Sequence, residues 1–125
     1  MRLLLDTHVL LWWLDDPSRI SADAQEAIRN QENDVFVSAA TAWEIAIKKA
    51  LGKLDAPDNL GEVIRDCRFL PLPITIEHAA GVNAIPPYHA DPFDRMLVAQ
   101  TQAEGLTIVT RDANILRYPV SHIMA

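Results

Sequence analysis

The chain has a single cysteine, Cys67, so it can form neither an internal disulfide nor a cysteine zinc site, and the thiol is left to fill core space. Long hydrophobic runs are missing as well. The longest, Leu3–Leu5 and Val9–Leu14, fall far short of the roughly 20 residues needed to span a bilayer. No basic n-region precedes a signal-like core, and these absences together predict a soluble cytoplasmic protein with no membrane partner. There is no repeat, low-complexity run or linker. His8, His78, His89 and His122 show no metal-ligand spacing, and no serine or cysteine sits in a recognisable nucleophile motif. A hydrolase built from this chain therefore has to activate water.

What is present is the material of one packed domain spanning residues 1–125, half of it hydrophobic and 22% of it charged. Disorder is excluded on that composition. The net charge of −6 argues in bulk against a polyanionic partner, but the placement of the acids matters more. If Asp6, Glu44, Asp91, Asp94 and Asp112 share one site, most of the net charge sits there, and a bound divalent ion would reverse the local field.

Arg2–Leu5 reads as a buried strand opening into a buried helix, Thr7–Leu14, stopped by Asp15, Asp16 and Pro17. Ser21 starts a helix that ends near residues 30–33, Val35–Val37 is a second strand, and Ser38 caps a helix over Ala39–Leu51 closed by Gly52. Asp58 is expected to open a shorter helix, Asn59–Arg68, followed by a prolyl-punctuated edge strand at Phe69–Pro73. Thr75 caps a helix to Val82, and Ile85–Ala90 is a loop. Pro92 sits in the first turn of a helix to Glu104 ended by Gly105. Thr107–Thr110 is a strand, Asp112 opens a turn, and Tyr118–His122 is a candidate last strand. Strands alternating with helices predict the α/β class, with right-handed crossovers and a mainly parallel sheet covered on both faces.

Such a sheet presents ligands at the carboxyl ends of its strands, where Asp6 and Asp112 fall; Asp91 and Asp94 open the helix feeding the Thr107–Thr110 strand. Glu44 lies on the border of its helix's buried stripe. Clustered hard oxygen ligands of this kind suit Mg²⁺ or Mn²⁺. Each acid also has a plainer role. Asp6, Asp91 and Asp112 can act as caps, Asp94 can complement a helix dipole, and Glu44 and Lys48 have the i, i+4 order of a surface ion pair. The functional case rests on their conjunction.

The opening LLLDTHVLLW, the helix SAATAWEIAIK and the segment HADPFDRMLVAQTQAEGLTIVTRD resemble PIN-domain ribonucleases, specifically the toxin component of VapBC-type toxin–antitoxin modules. The resemblance covers nearly the whole chain and implies a three-layer α/β/α sandwich with a mainly parallel central sheet. It also implies RNA cleavage, dimerisation and inhibition by a cognate antitoxin protein. In that family four acids hold Mg²⁺ or Mn²⁺, and they fall here on Asp6, Glu44, Asp94 and Asp112. Asp94 matches better than Asp91 because it directly precedes RMLVAQ.

Divalent ions in such a site lower the pKa of water and stabilise charge on a leaving oxygen. Asp6 and Asp94 are then the principal ligands, Glu44 a ligand or water-positioning base, and Asp112 a second-ion or water-mediated ligand. Thr7, Ser38 and Thr110 are candidates to hydrogen-bond these carboxylates. Lys48, Lys49, Lys53, Arg95 and Arg111 could contact RNA phosphates or form a solvated charged face. His8 and His89 flank the site. Trp12, Trp13 and Trp43 read as core or interface anchors, and the apolar excess around them predicts a homodimer or a surface covered by an antitoxin segment. Two rival readings are a catalytically silent binding module of the same fold and a phosphoacceptor receiver domain. The receiver reading is opposed by Thr7 following Asp6, by the lack of an aspartate ending Val35–Val37, and by the lack of any lysine after Lys53.

Overall fold

Leu3, Leu4 and Leu5 are all fully buried, as a strand covered on both faces must be. In the computed structural model, which describes residues 1–125, they belong to the central strand, β1 (Arg2–Leu5). On one side of it lie β2 (Asp34–Ser38) and then β3 (Leu70–Leu72); on the other lie β4 (Thr107–Thr110) and then β5 (His122–Met124). Every pairing is parallel, with Leu3 opposite both Val35 and Thr107. The expected parallel sheet is therefore present and contains no antiparallel pair.

The strand pleat divides the core in two. Leu3 and Leu5 point into a cluster with Val9 and Leu10 of α1 (Thr7–Asp15), Ala24 and Ile28 of α2 (Ala22–Arg29) and Ile64 of α4 (Leu60–Asp66). Leu4 points the other way, against Ala40 of α3 (Ala39–Ala50) and Leu97 and Val98 of α6 (Pro92–Glu104). Helices on both faces of the sheet make the three-layer α/β/α sandwich. The short α5 (Ile76–Gly81) completes the α-helices, and no helix is long and apolar enough to cross a membrane.

Local chemistry sets the helix boundaries. Ser21, Ser38, Thr75 and Asp91 each accept a backbone N–H with their side chains at the starts of α2, α3, α5 and α6. Gly105 ends α6 at φ 61°, in the left-handed region that a Cβ would strain.

Several boundaries differ from the sequence reading, the shorter helix ending at Asp66 rather than Arg68 and the third strand narrowing to Leu70–Leu72, and three of the differences have a plain local cause. Asp58 does not open α4; its carboxylate pairs with Lys49 Nζ, and the capping position falls to Asn59, which makes no side-chain cap. The helix begun by Thr75 gives way after Gly81 to a three-ten turn at Val82–Ala84. The last strand lies at His122–Met124 rather than Tyr118–His122, because Tyr118 is buried at the close of the turn Ile115–Arg117 and Pro119 has no N–H to donate. Cys67 is half-buried against the first core cluster, as a small apolar filler.

Candidate active site

The strand order β3-β2-β1-β4-β5 puts the point where the chain reverses its direction of winding between β1 and β4, and the crevice beyond their carboxyl ends is where such sheets bind ligands. Asp6 directly follows β1 and is buried. Its backbone N–H donates to the Val109 carbonyl, holding the residue against β4 (3.1 Å). One carboxylate oxygen, Oδ1, accepts the His8 N–H as the cap of α1 (3.2 Å), and Oδ2 accepts the Thr110 hydroxyl (2.6 Å). Thr110 Oγ1 in turn accepts the Asp112 N–H (3.0 Å), so one buried hydroxyl ties both strand-end acids together. Asp112 also caps the turn after β4, its Oδ1 accepting from Asn114 and Ile115.

Glu44 is buried on α3, with Oε1 accepting the Thr7 hydroxyl (2.7 Å) and Oε2 accepting from Lys48 Nζ (2.5 Å). The i, i+4 ion pair and a place beside Asp6 are thus compatible, because the two carboxylate oxygens serve different partners. Thr7 and Thr110 hydrogen-bond the acids as expected. Ser38 does not: its hydroxyl caps Ala40 and bonds Gln100 Oε1 at 2.5 Å, since it faces the buried interior of α6 rather than the crevice.

At the start of α6, Asp91 Oδ1 accepts from both Phe93 N–H and Asp94 N–H, so Asp91 is the helix cap. Asp94 is left to face the crevice, with Oδ2 3.3 Å from His89 Nε2. Burial, and then the negative charges of Asp91, Asp6, Asp112 and Glu44, push the Asp94 carboxyl up to about 8. Burial also raises Asp6, with a smaller push from Asp112. Lys48 is raised chiefly by its hydrogen bond to Glu44, and the charges of Asp91 and Asp94 add to it. The charges of Asp6, Glu44 and Asp112, each from a different part of the chain, all bear on Asp94.

A hard divalent cation fits this donor set, because its charge offsets the burial and the repulsion that raise the Asp94 carboxyl and because every donor is a carboxylate oxygen. As they stand, no three or more of the acidic, imidazole and thiol side chains form a group that could hold a metal ion. Each acid makes its own hydrogen bonds instead, so an ion here would take few carboxylates at once and keep several of its waters.

The cations are more committed than the sequence suggested. Arg95 does not face solvent. Its Nη1 donates to the Pro86 carbonyl (2.9 Å) and the Tyr118 hydroxyl (3.2 Å), and Nη2 donates to the Val82 carbonyl (3.0 Å). Three part-buried acceptors capture it because the loop before α6 folds back over the helix. Lys49 pairs with Asp58 and the Ala56 carbonyl. Arg111 stacks on Trp12, which Arg19 also overlies, and donates to the Arg19 carbonyl. Lys53 and Lys48 line a hollow with Thr7, His8 and Glu44. Trp13 packs on Phe69, whereas Trp43 is 62% exposed and touches Phe93 edge-on. Tyr118 was not singled out from the sequence; a lone tyrosine beyond a strand carries no signal of its own.

The sequence signature of the PIN domain matches residues 3–120, and the chain belongs to the PIN-domain family. It is 31% identical over 121 residues to Ribonuclease VapC22 of Mycobacterium tuberculosis, spanning 90% of this chain and 88% of that one. Its fold is similar to VapBC2 from Rickettsia felis, solved bound to a DNA fragment from its promoter (TM-score 0.71, 14% identity, 98% of each chain). It is also similar to DNA-bound VapBC from Salmonella typhimurium (TM-score 0.70, 18% identity, 99% of this chain and 97% of that one).

Proposed function

We propose that residues 1–125 act as one nuclease domain that hydrolyses RNA phosphodiester bonds with Mg²⁺ or Mn²⁺, as the toxin of a toxin–antitoxin pair. The observation that carries the reading is the hydrogen bonding at the strand ends: Thr110 Oγ1 donates to Asp6 Oδ2 and accepts the Asp112 N–H, and Thr7, next to Asp6, donates to Glu44 Oε1, while burial and the charges of these acids raise the Asp94 carboxyl. Helix capping alone gives no reason for acids from β1, α3, α6 and the turn after β4 to repel one another. The name of the 31%-identical relative, a ribonuclease, supports the reaction class. The similarity to VapBC structures supports a protein antitoxin as partner.

Asp6 and Asp94 would hold the ion, with Glu44 as a further ligand or the base that positions water, and Asp112 as a second-ion or water-mediated ligand. A divalent ion bound there lowers the pKa of water and stabilises charge on the departing oxygen. Thr110 fixes the rotamer of Asp6 through Oδ2, and Thr7 fixes Glu44 through Oε1. Lys48 neutralises the far oxygen of Glu44 and, with Lys53, gives an approaching phosphate a cationic neighbour.

The test is cleavage of a total RNA pool, with cut sites mapped, in EDTA and after adding Mg²⁺ or Mn²⁺. Cleavage should vanish in EDTA and return with metal, and Asp6→Asn, Glu44→Gln and Asp94→Asn should each nearly abolish it in folded protein. Full cleavage by any two of these variants would overturn the assignment. A wild type that never cuts RNA yet is bound by a partner protein would favour the silent binding module.

A further inference from the structure

His89, Tyr118 and Arg95 form a hydrogen-bonded chain behind Asp94 that the assigned chemistry does not use. Arg95 carries only donors, and its Nη1 lies 3.2 Å from the Tyr118 hydroxyl, so that oxygen accepts from the guanidinium. Its single hydrogen is then free for the other neighbour, His89 Nδ1, 2.8 Å away. Receiving that hydrogen makes Nδ1 the acceptor of the ring and leaves the ring's proton on Nε2. Nε2 is the atom 3.3 Å from Asp94 Oδ2.

We propose that His89 is a positioning residue for Asp94, held by Arg95 and Tyr118 as the Nε2–H tautomer so that it donates to the carboxylate oxygen not needed by the metal. The inference rests on the metal-site reading above. A ligating carboxylate is ionised and therefore accepts, and a donor on its second oxygen fixes the direction of the first. The three residues are anchored for this task. Arg95 pins the loop carrying His89 through the Val82 and Pro86 carbonyls, and Tyr118 is buried, with its ring 5.5 Å from that of His89. The side chains of His89 and Asp94 are only 12% and 16% exposed, so water competes weakly for the bond. Arg95 directly follows Asp94 in the chain, so the ligand and the anchor of its support leave the same turn of α6.

The test needs the full chain and two measurements. Long-range ¹H–¹⁵N NMR of the Mg²⁺-loaded protein should show His89 as the Nε2–H tautomer; an Nδ1–H ring or a doubly protonated imidazolium would overturn the proposal without any variant. Calorimetric Mn²⁺ titration should show His89→Gln, whose amide nitrogen can occupy the Nε2 position, within a few-fold of wild type. His89→Asn and His89→Ala should bind Mn²⁺ about 10–100-fold more weakly, the loss typical when support behind a metal ligand is removed. Equal affinity in all three variants and wild type, with Asp94→Asn weakened, would overturn this proposal alone. A wild type that binds no Mn²⁺ would overturn it together with the metal-site reading.

Discussion

Replacing Asp94 by Asn should raise the melting temperature of the metal-free protein, and by an amount that depends on pH. The Asp94 carboxyl is held near 8 in the folded chain, against about 3.9 for a free aspartate. Between those values the unfolded chain has lost the proton and the folded chain keeps it, so folding stability falls as pH rises. The protonated carboxyl's contribution is complete below about pH 4 and gone above about pH 8. Fully transmitted, a gap of this size is worth about 6 kcal/mol. Asp94 stands at a crevice mouth with its side chain 16% exposed, and solvent screening reduces the effect to roughly 2–3 kcal/mol. For a chain of this size that is about 8–12 °C in melting temperature. Melts followed by circular dichroism in EDTA should therefore show Asp94→Asn and wild type nearly coincident at pH 4.5 and the variant well above wild type at pH 8.5. Adding Mg²⁺ at pH 8.5 should narrow the gap by stabilising the wild type. A variant melting below wild type at pH 8.5, or an offset that does not change with pH, would refute the shared acidic environment.

Thr110→Val leaves both Asp6 Oδ2 and the Asp112 N–H without their partner and should cost about 1–3 kcal/mol in chemical denaturation, with Mn²⁺ binding weakened as well. Asp6→Asn can still cap α1 through its amide oxygen while relieving a carboxyl that burial disfavours, so it should melt no lower than wild type in EDTA and show little gain from Mg²⁺; a clear loss in EDTA would make Asp6 a cap and nothing more. Exposed Trp43 and Ile47 lie on α3 and Leu51 caps its end, with Ile74 nearby in sequence to α5; Trp43→Glu should lower the mass seen by light scattering if this face joins two copies, and a wild type that is monomeric at high concentration would remove that role. Leu4→Ala, emptying the centre of the second core, should destabilise by about 2–5 kcal/mol without altering metal affinity per folded molecule.

The buried strands were readable because Leu3–Leu5 and Thr107–Thr110 need nothing from elsewhere in the chain to announce themselves: apolar or β-branched runs bounded by polar punctuation. Helix starts were equally local, since Ser21, Ser38, Thr75 and Asp91 bond within three residues of themselves. The order of the acids was visible, and the expectation that Asp91 caps α6 is met by its bonds from the Phe93 and Asp94 N–H groups. What escaped depends on partners distant in sequence. Asp58 is drawn off its helix by Lys49, Ser38 turns to Gln100 across 62 residues, and Arg95 is taken inward by carbonyls 9 and 13 residues back and by Tyr118. A cation's exposure is decided by which acceptors fold over it, and periodicity carries no record of that.

The bond from Thr110 to Asp6 closes a loop of 104 residues, and β1 gains its second neighbour only when β4 arrives. On a ribosome, the central strand would emerge first and wait with one edge unpaired until nearly the whole sheet had been made. Before that moment Asp6 has neither its supporting hydroxyl nor Asp94 and Asp112 beside it. Whatever chemistry the acids perform is thus confined to the finished fold, and a nascent or truncated chain lacking β4 would be harmless to the RNA from which it is being translated.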